Sequence, residues 1–254
     1  MKLKEGIYEQ VISNKIHEEI KNRENEINIQ KEEIEKEEAK IVLSKYLQEV
    51  TKKSLSLLKN KDLNKQIELC NQIINYLSTQ VEDEEIKENN IHKNGEILLS
   101  IEEKLNKSKI KNNNIRPITP ISQSYLFTNS NNEPDLINEL KREIASSDSI
   151  DILVSFIRWS GLRLIKDELI EHTKTKKLRI ITTSYMGASE FRAIKFLSQL
   201  PNTEIKISYD TQRTRLHAKS YMFNRNTGFT TAYIGSSNIS KDAMTTGLEW
   251  NMKV

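Results

Sequence analysis

The feature that most limits the possible folds is a change of period at Pro134. After it, short apolar runs alternate with helical patterns. Helices are expected over 136–145, 162–172 and 189–200, the last with Ser189 as its N-cap. Strands are expected over 150–156 (IDILVSF), 178–182 (LRIIT), 203–209, 216–223, 229–234 and 248–254. Strand–helix alternation followed by adjacent strands predicts the α/β class: a mixed β-sheet with flanking helices.

Before Pro134 the period is different. Ile7, Val11, Ile12 and Ile16 recur at helical spacing, as do Leu43, Tyr46, Leu47 and Val50, then Leu63, Ile67, Cys70, Ile73, Ile74 and Leu77. Residues 24–40 are dominated by charge, with Ile27, Ile34 and Ile41 seven apart. That thin stripe fits either a coiled-coil-like arm or a solvated helix face. Helical signals fade at 89–95, resume for 96–105 and stop at 107–114. The expected organisation is therefore an α-helical N-terminal region over 1–108, a Pro- and Asn-rich linker over 109–135, and an α/β domain over 136–254. The last strand is still running at Val254, so a C-terminally truncated domain is expected.

Composition excludes several classes. A single cysteine, Cys70, rules out an internal disulfide and a Cys-based zinc cluster, and reads as a small buried residue on a helix. There is no apolar run near 18 residues and no N-terminal h-region, so no membrane association is expected and the protein reads as cytoplasmic. Residues 136–254 carry 18 Lys and Arg against 12 Asp and Glu, a surplus of six, whereas 1–135 carry 21 against 24. A basic C-terminal portion suits a polyanion such as nucleic acid, although a solvated surface gives a similar surplus.

One constellation in that portion points to chemistry. His217-Ala218-Lys219 lies in an apolar strand pattern, where residues i and i+2 share a face. Eighteen residues after His217 comes Gly235-Ser236-Ser237-Asn238, and eleven beyond Asn238 stands Glu249, inside the expected last strand. A strand carboxylate is costly to bury unless paired, and a histidine is a natural partner. This H-x-K…G-S-x-N…E layout resembles the active-site signature of the phospholipase D superfamily, and most closely its nuclease branch. Residues 133–254 also resemble the phospholipase D-like domain at the N-terminus of bacterial DEAD/DEAH-type helicases linked to restriction and phage defence, and 1–108 resemble their helical leader. Asn224 stands where the commonest superfamily pattern has an Asp, seven residues after the histidine. The nuclease branch uses the later Glu instead, so the departure weighs against lipid-type members.

The resemblance implies a metal-independent phosphodiesterase of nucleic acid, DNA first, needing no cofactor. A phosphodiester is shielded by its charge, so the site needs donors around the non-bridging oxygens: Lys219, Asn238 and the Ser236 hydroxyl, with Ser237 beside them. His217 would be the nucleophile, forming a phosphohistidine, and Glu249 would hold its other ring nitrogen. The superfamily takes its acid from a second histidine motif. His17, His92 and His172 lack that motif and read as surface histidines, so a homodimer pairing two copies of His217 is expected. Arg213 and Arg215 would neutralise flanking phosphates or simply be solvated. Trp159 would stack on a base or pack in the core, and 183–187 would line the cleft. No G-x-x-x-x-G-K-[ST] occurs, so any helicase motor would lie C-terminal to this chain. Two other readings stay open: a non-catalytic nucleic-acid-binding or dimerisation module with a remnant site, and, more remotely, a lipid phosphodiesterase.

Overall fold

The computed structural model describes residues 3–23, 26–58, 62–101, 115–130, 133–210, 212–213 and 215–254. The chain divides into two compact units, Met1–Ile101 and Glu102–Val254.

The first unit contains α1 (Asn14–Asn22), α2 (Ala39–Leu57), α3 (Leu63–Val81) and α4 (Glu84–Glu88). Side chains cap three of them: Ser13 accepts from the Ile16 N–H, Asp62 from Asn64 and Lys65, and Asp83 from Glu85. The helical spacing at Leu43–Val50 and Leu63–Leu77 is thus realised. The stripe at Ile27 and Ile34 is not, because residues 27–35 form no helix. One apolar residue per seven leaves little to pack, and the glutamates crowding 32–38 repel one another at helical spacing. Of the helix expected over 96–105, residues 96–101 are not helical, and 102–105 lie outside the described residues. Cys70 is on α3 but only half-buried.

The second unit runs β1 (Tyr125–Phe127), α5 (Leu136–Ser146), β2 (Ser149–Val154), α6 (Trp159–Thr173), β3 (Lys177–Thr183), α7 (Phe191–Ser198), β4 (Thr203–Ser208), β5 (Lys219–Asn224), β6 (Thr231–Gly235), α8 (Lys241–Met244) and β7 (Asn251–Lys253). The sheet order is β1-β7-β6-β5-β2-β3-β4. β2, β3 and β4 are parallel, and every other pairing is antiparallel. The expected mixed sheet with flanking helices is what forms.

Alternation decides which face is covered. Ile150, Ile152 and Val154 share a face with their cross-strand mates Leu178, Ile180, Tyr221 and Phe223. That face packs on Leu140 and Ile144 of α5, Leu162, Ile165 and Leu169 of α6, and Leu197 of α7. On the opposite face Ile181, Met222, Ile234 and Met252 are exposed. The covered face also holds a buried ionic cluster. Lys253 Nζ lies 3.3 Å from Glu139 and 3.1 Å from Glu143, and Arg225 pairs with the other Glu143 oxygen. Tyr233 donates to Glu143 at 2.9 Å, and burial together with the two carboxylates pushes its phenol pKa far up.

Several boundaries move from those expected. The stretch 109–135 is not merely a linker: its described part supplies β1, an edge strand paired with β7, and Phe127 is fully buried. Three residues among Asn and Pro are too few to show a period. His217 stands two residues ahead of β5, and Glu249 precedes β7 rather than lying inside it. Ser189 is not an N-cap. Its hydroxyl instead accepts from the Ile157 N–H and donates to the Thr183 carbonyl. His172 is not a surface residue: it is 5% exposed, with its ring nitrogens against the Ile144 and Lys177 carbonyls.

Candidate phosphodiester site

β5 runs against β2, with Lys219 opposite Val154, so the start of β5 lies at the carboxyl end of β2. β6 ends and β7 begins at the same edge, where Gly235 pairs with Asn251. That edge is also the carboxyl end of β3 and β4. Open α/β sheets place ligands outside the carboxyl ends of their parallel strands, which is where this edge lies. Topology therefore gathers His217, Lys219, the 235–238 loop and Glu249 at one edge. Asn224, five residues along β5 from Lys219, is about 17 Å away at the strand rise. There it donates to Asp151 at 3.2 Å, whose carboxyl pKa is lowered, mainly by its hydrogen bonds to Arg179.

Lys219 is 7% exposed. Its ammonium donates to the His217 carbonyl at 2.8 Å and lies 3.0 Å and 3.1 Å from the two ring nitrogens. A neutral imidazole has one acceptor nitrogen, so only one of these contacts is a hydrogen bond in a given tautomer. Burial lowers the Lys219 pKa, Arg215 lowers it further, and the charge of Glu249 pulls it back. The same carboxylate, with burial, raises Tyr221. Glu249 thus acts on this corner through its field. Among the described residues no hydrogen bond joins it to His217, so the expected carboxylate–imidazole pair is replaced by an ammonium–imidazole pair.

Asn238 is held by its oxygen, which accepts from the Phe156 N–H at 3.1 Å. The Nδ2 hydrogens are left uncommitted among the described residues, as an anion donor requires. Two backbone approaches fix its loop. Arg158 N–H donates to the Ile239 carbonyl at 2.8 Å, and a Cβ on Gly161 would fall 2.5 Å from the Ser240 backbone. Likewise a Cβ on Gly235 would lie 2.1 Å from the Trp250 carbonyl. Glycine at these two positions lets the loop close on α6 and on the Glu249 segment.

Ser236 and Ser237 are placed differently from the sequence reading. The Ser236 hydroxyl accepts from Trp250 N–H at 3.0 Å and reaches the Trp250 carbonyl at 3.4 Å, tethering the residue after Glu249. Ser237 is fully buried; it donates to the Ala243 carbonyl and accepts from Asn251 Nδ2 at 2.8 Å. It clasps the loop to β7, and its hydroxyl is engaged there as both donor and acceptor. Trp159 is half-buried and packed, with Arg192 over its ring at 4.1 Å and Phe196 in an edge-type contact at 5.5 Å. Arg215 lies over Tyr185 at 4.3 Å, so the 183–187 segment does meet the basic loop. Arg213 is exposed, its backbone N–H on Asp210.

Sequence reasoning missed Asn251, a buried polar residue whose signal was the inverted strand Asn251-Met252-Lys253, polar inward and apolar outward.

Residues 140–254 match the family described as Cardiolipin synthase, PLD-like domain. That match lies within the second unit. Among solved structures, NucT from Helicobacter pylori aligns over 52% of this chain and 84% of its own, at 22% identity and a TM-score of 0.40. Yeast tyrosyl-DNA phosphodiesterase aligns over 52% of this chain and 31% of its own, at 10% identity and 0.35. Polyphosphate kinase from Porphyromonas gingivalis aligns over 52% and 23%, at 16% identity and 0.38. No curated protein sequence matches the chain.

Proposed function

We propose that the second unit is a metal-independent phosphodiesterase that cleaves nucleic acid, DNA first, through a phosphohistidine. The observation that carries this reading is the convergence of His217, the Lys219 ammonium and the uncommitted Asn238 amide at one sheet edge of a PLD-like domain. Lys219 and Asn238 hold the non-bridging oxygens. The unprotonated nitrogen of His217 attacks phosphorus; the N–P bond forms as the P–O bond to the leaving oxygen breaks. A second imidazolium protonates that oxygen, then as a neutral base takes a proton from the water that cleaves the N–P bond.

With one H-x-K per chain, the second imidazole comes from a second copy related by a two-fold axis. The resemblance of 133–254 to helicase-borne domains supports a nuclease module working beside a DNA motor in restriction or defence. Plasmid nicking in EDTA by the wild-type protein, lost in His217→Ala with fold retained, is the expected outcome; equal nicking by both proteins overturns the reading. Sedimentation should show that the cleaving species is a dimer, and a cleaving monomer removes the second copy from the mechanism.

A second reading has specific support. Glu249 does not bond His217, and Ser236 is committed to backbone. These favour a module that binds nucleic acid without cutting it, whose mark would be salt-sensitive DNA binding unchanged in His217→Ala and no nicking by either protein.

A further inference from the structure

The segment joining β2 to α6 threads between two members of the site, and its backbone N–H groups from Phe156 to Trp159 are all engaged. Val154 pairs with Lys219. The Ser155 carbonyl accepts from Thr182 Oγ1 at 3.3 Å and from Thr183 N–H at 3.4 Å. Phe156 N–H is bound by Asn238, Ile157 N–H by Ser189, Arg158 N–H by Ile239, and Trp159 N–H by Glu190. The Ser155 hydroxyl is not. Ser155 is 7% exposed, and its Oγ is buried with no hydrogen-bond partner among the described residues.

A buried hydroxyl without a partner is uncommon in a folded protein and calls for an explanation. Here the neighbours supply one. The residue before Ser155 lies opposite Lys219, and the residue after it is held by Asn238, the two groups assigned to the phosphate. We infer that the Ser155 hydroxyl is a third donor to the phosphate bound at this edge, completing its hydrogen bonding only when an anion is present. The inference rests on reading the site as a phosphodiester site, and extends it to a residue outside the H-x-K…N…E set. It also gives the 155–159 wiring a purpose: a donor serves best when its backbone cannot shift as charge builds on the anion.

The test uses the full chain and two probes, inorganic tungstate as a phosphate mimic and nicked plasmid as product. Ser155→Ala should weaken tungstate binding by calorimetry about tenfold and slow cleavage by about the same factor, the loss expected for one hydrogen bond to a charged group. Its melting temperature should stay at or above that of wild type, because the hydroxyl has no partner to lose. Ser155→Cys, nearly isosteric with a weaker donor, should fall between the two and serves as the reading if the alanine variant does not fold. Unchanged tungstate affinity in a folded Ser155→Ala overturns the inference, as does a loss of binding that tracks a loss of melting temperature. If wild type binds tungstate but cuts no DNA while Ser155→Ala binds it more weakly, the donor role stands and the phosphodiesterase reading fails. If wild type neither binds nor cuts, both fail.

Discussion

The two units use similar residues to opposite ends. In the first, α2 carries Ile41, Leu43, Leu47 and Val50, all exposed, and among the described residues of that unit only Ile67 and Ser78 are buried. In the second, α5, α6 and α7 send the same residue types into one continuous core against a sheet. Period alone does not distinguish them. What differs is a partner surface: an amphipathic helix gains most of its stability from the face it buries, not from propensity. The second unit supplies that surface through β2 and its neighbours.

This contrast can be broken or sharpened by substitution. The largest effect should be on activity: His217→Ala lowers nicking by at least about 10³-fold, while Leu47→Ala on α2 leaves it unchanged. Equal losses in both would mean that the contrast has nothing to do with chemistry. Next comes the buried ionic cluster. Lys253→Met strands Glu139 and Glu143 without their ammonium and should cost about 3–5 kcal/mol in denaturant unfolding. Third, Ile152→Ala in the sheet should cost about 2–5 kcal/mol, against less than about 0.5 kcal/mol for Val50→Ala on α2. A comparable loss at Val50 would reveal a buried surface that α2 does not show in the isolated chain.

The smallest effect is a pH dependence confined to the second unit. Burial lowers the His172 pKa, although the two backbone carbonyls pull the other way. The unfolded chain therefore takes up this proton first as pH falls. The stability due to the neutral ring is complete above the ordinary histidine value of about 6.5 and is lost progressively below it. Denaturation at pH 7.5 and 5.5 should show a drop that His172→Gln flattens; an unchanged slope would assign the dependence elsewhere.

These contrasts also mark how far the residues could be read. The mixed sheet followed from apolar runs at strand length, and the candidate site rests on one histidine, one lysine, one asparagine and one glutamate at characteristic spacings. The topology then brought these to a single edge, as a strand order containing a β2–β5 reversal allows. β7 was harder. Its buried residues are Asn251 and Lys253 and its exposed one is Met252, with Trp250 and Val254 exposed on either side, because Lys253 meets carboxylates from α5 and Asn251 meets the Ser237 hydroxyl instead of hydrocarbon. A hydropathy pattern gives the wrong side for such a strand. The partners of Ser236 and Ser237 were likewise hidden, since a hydroxyl's partner is decided by the fold around it and not by its neighbours in the chain.

The Ser237–Asn251 clasp has one consequence for how this molecule can change. It welds the stretch carrying the amide donor to the stretch carrying the acidic side chain, so neither can be repositioned alone. A change at Ser237 or Asn251 is therefore felt in both stretches at once, whereas one at the exposed Arg213 or Arg215 leaves the clasp untouched.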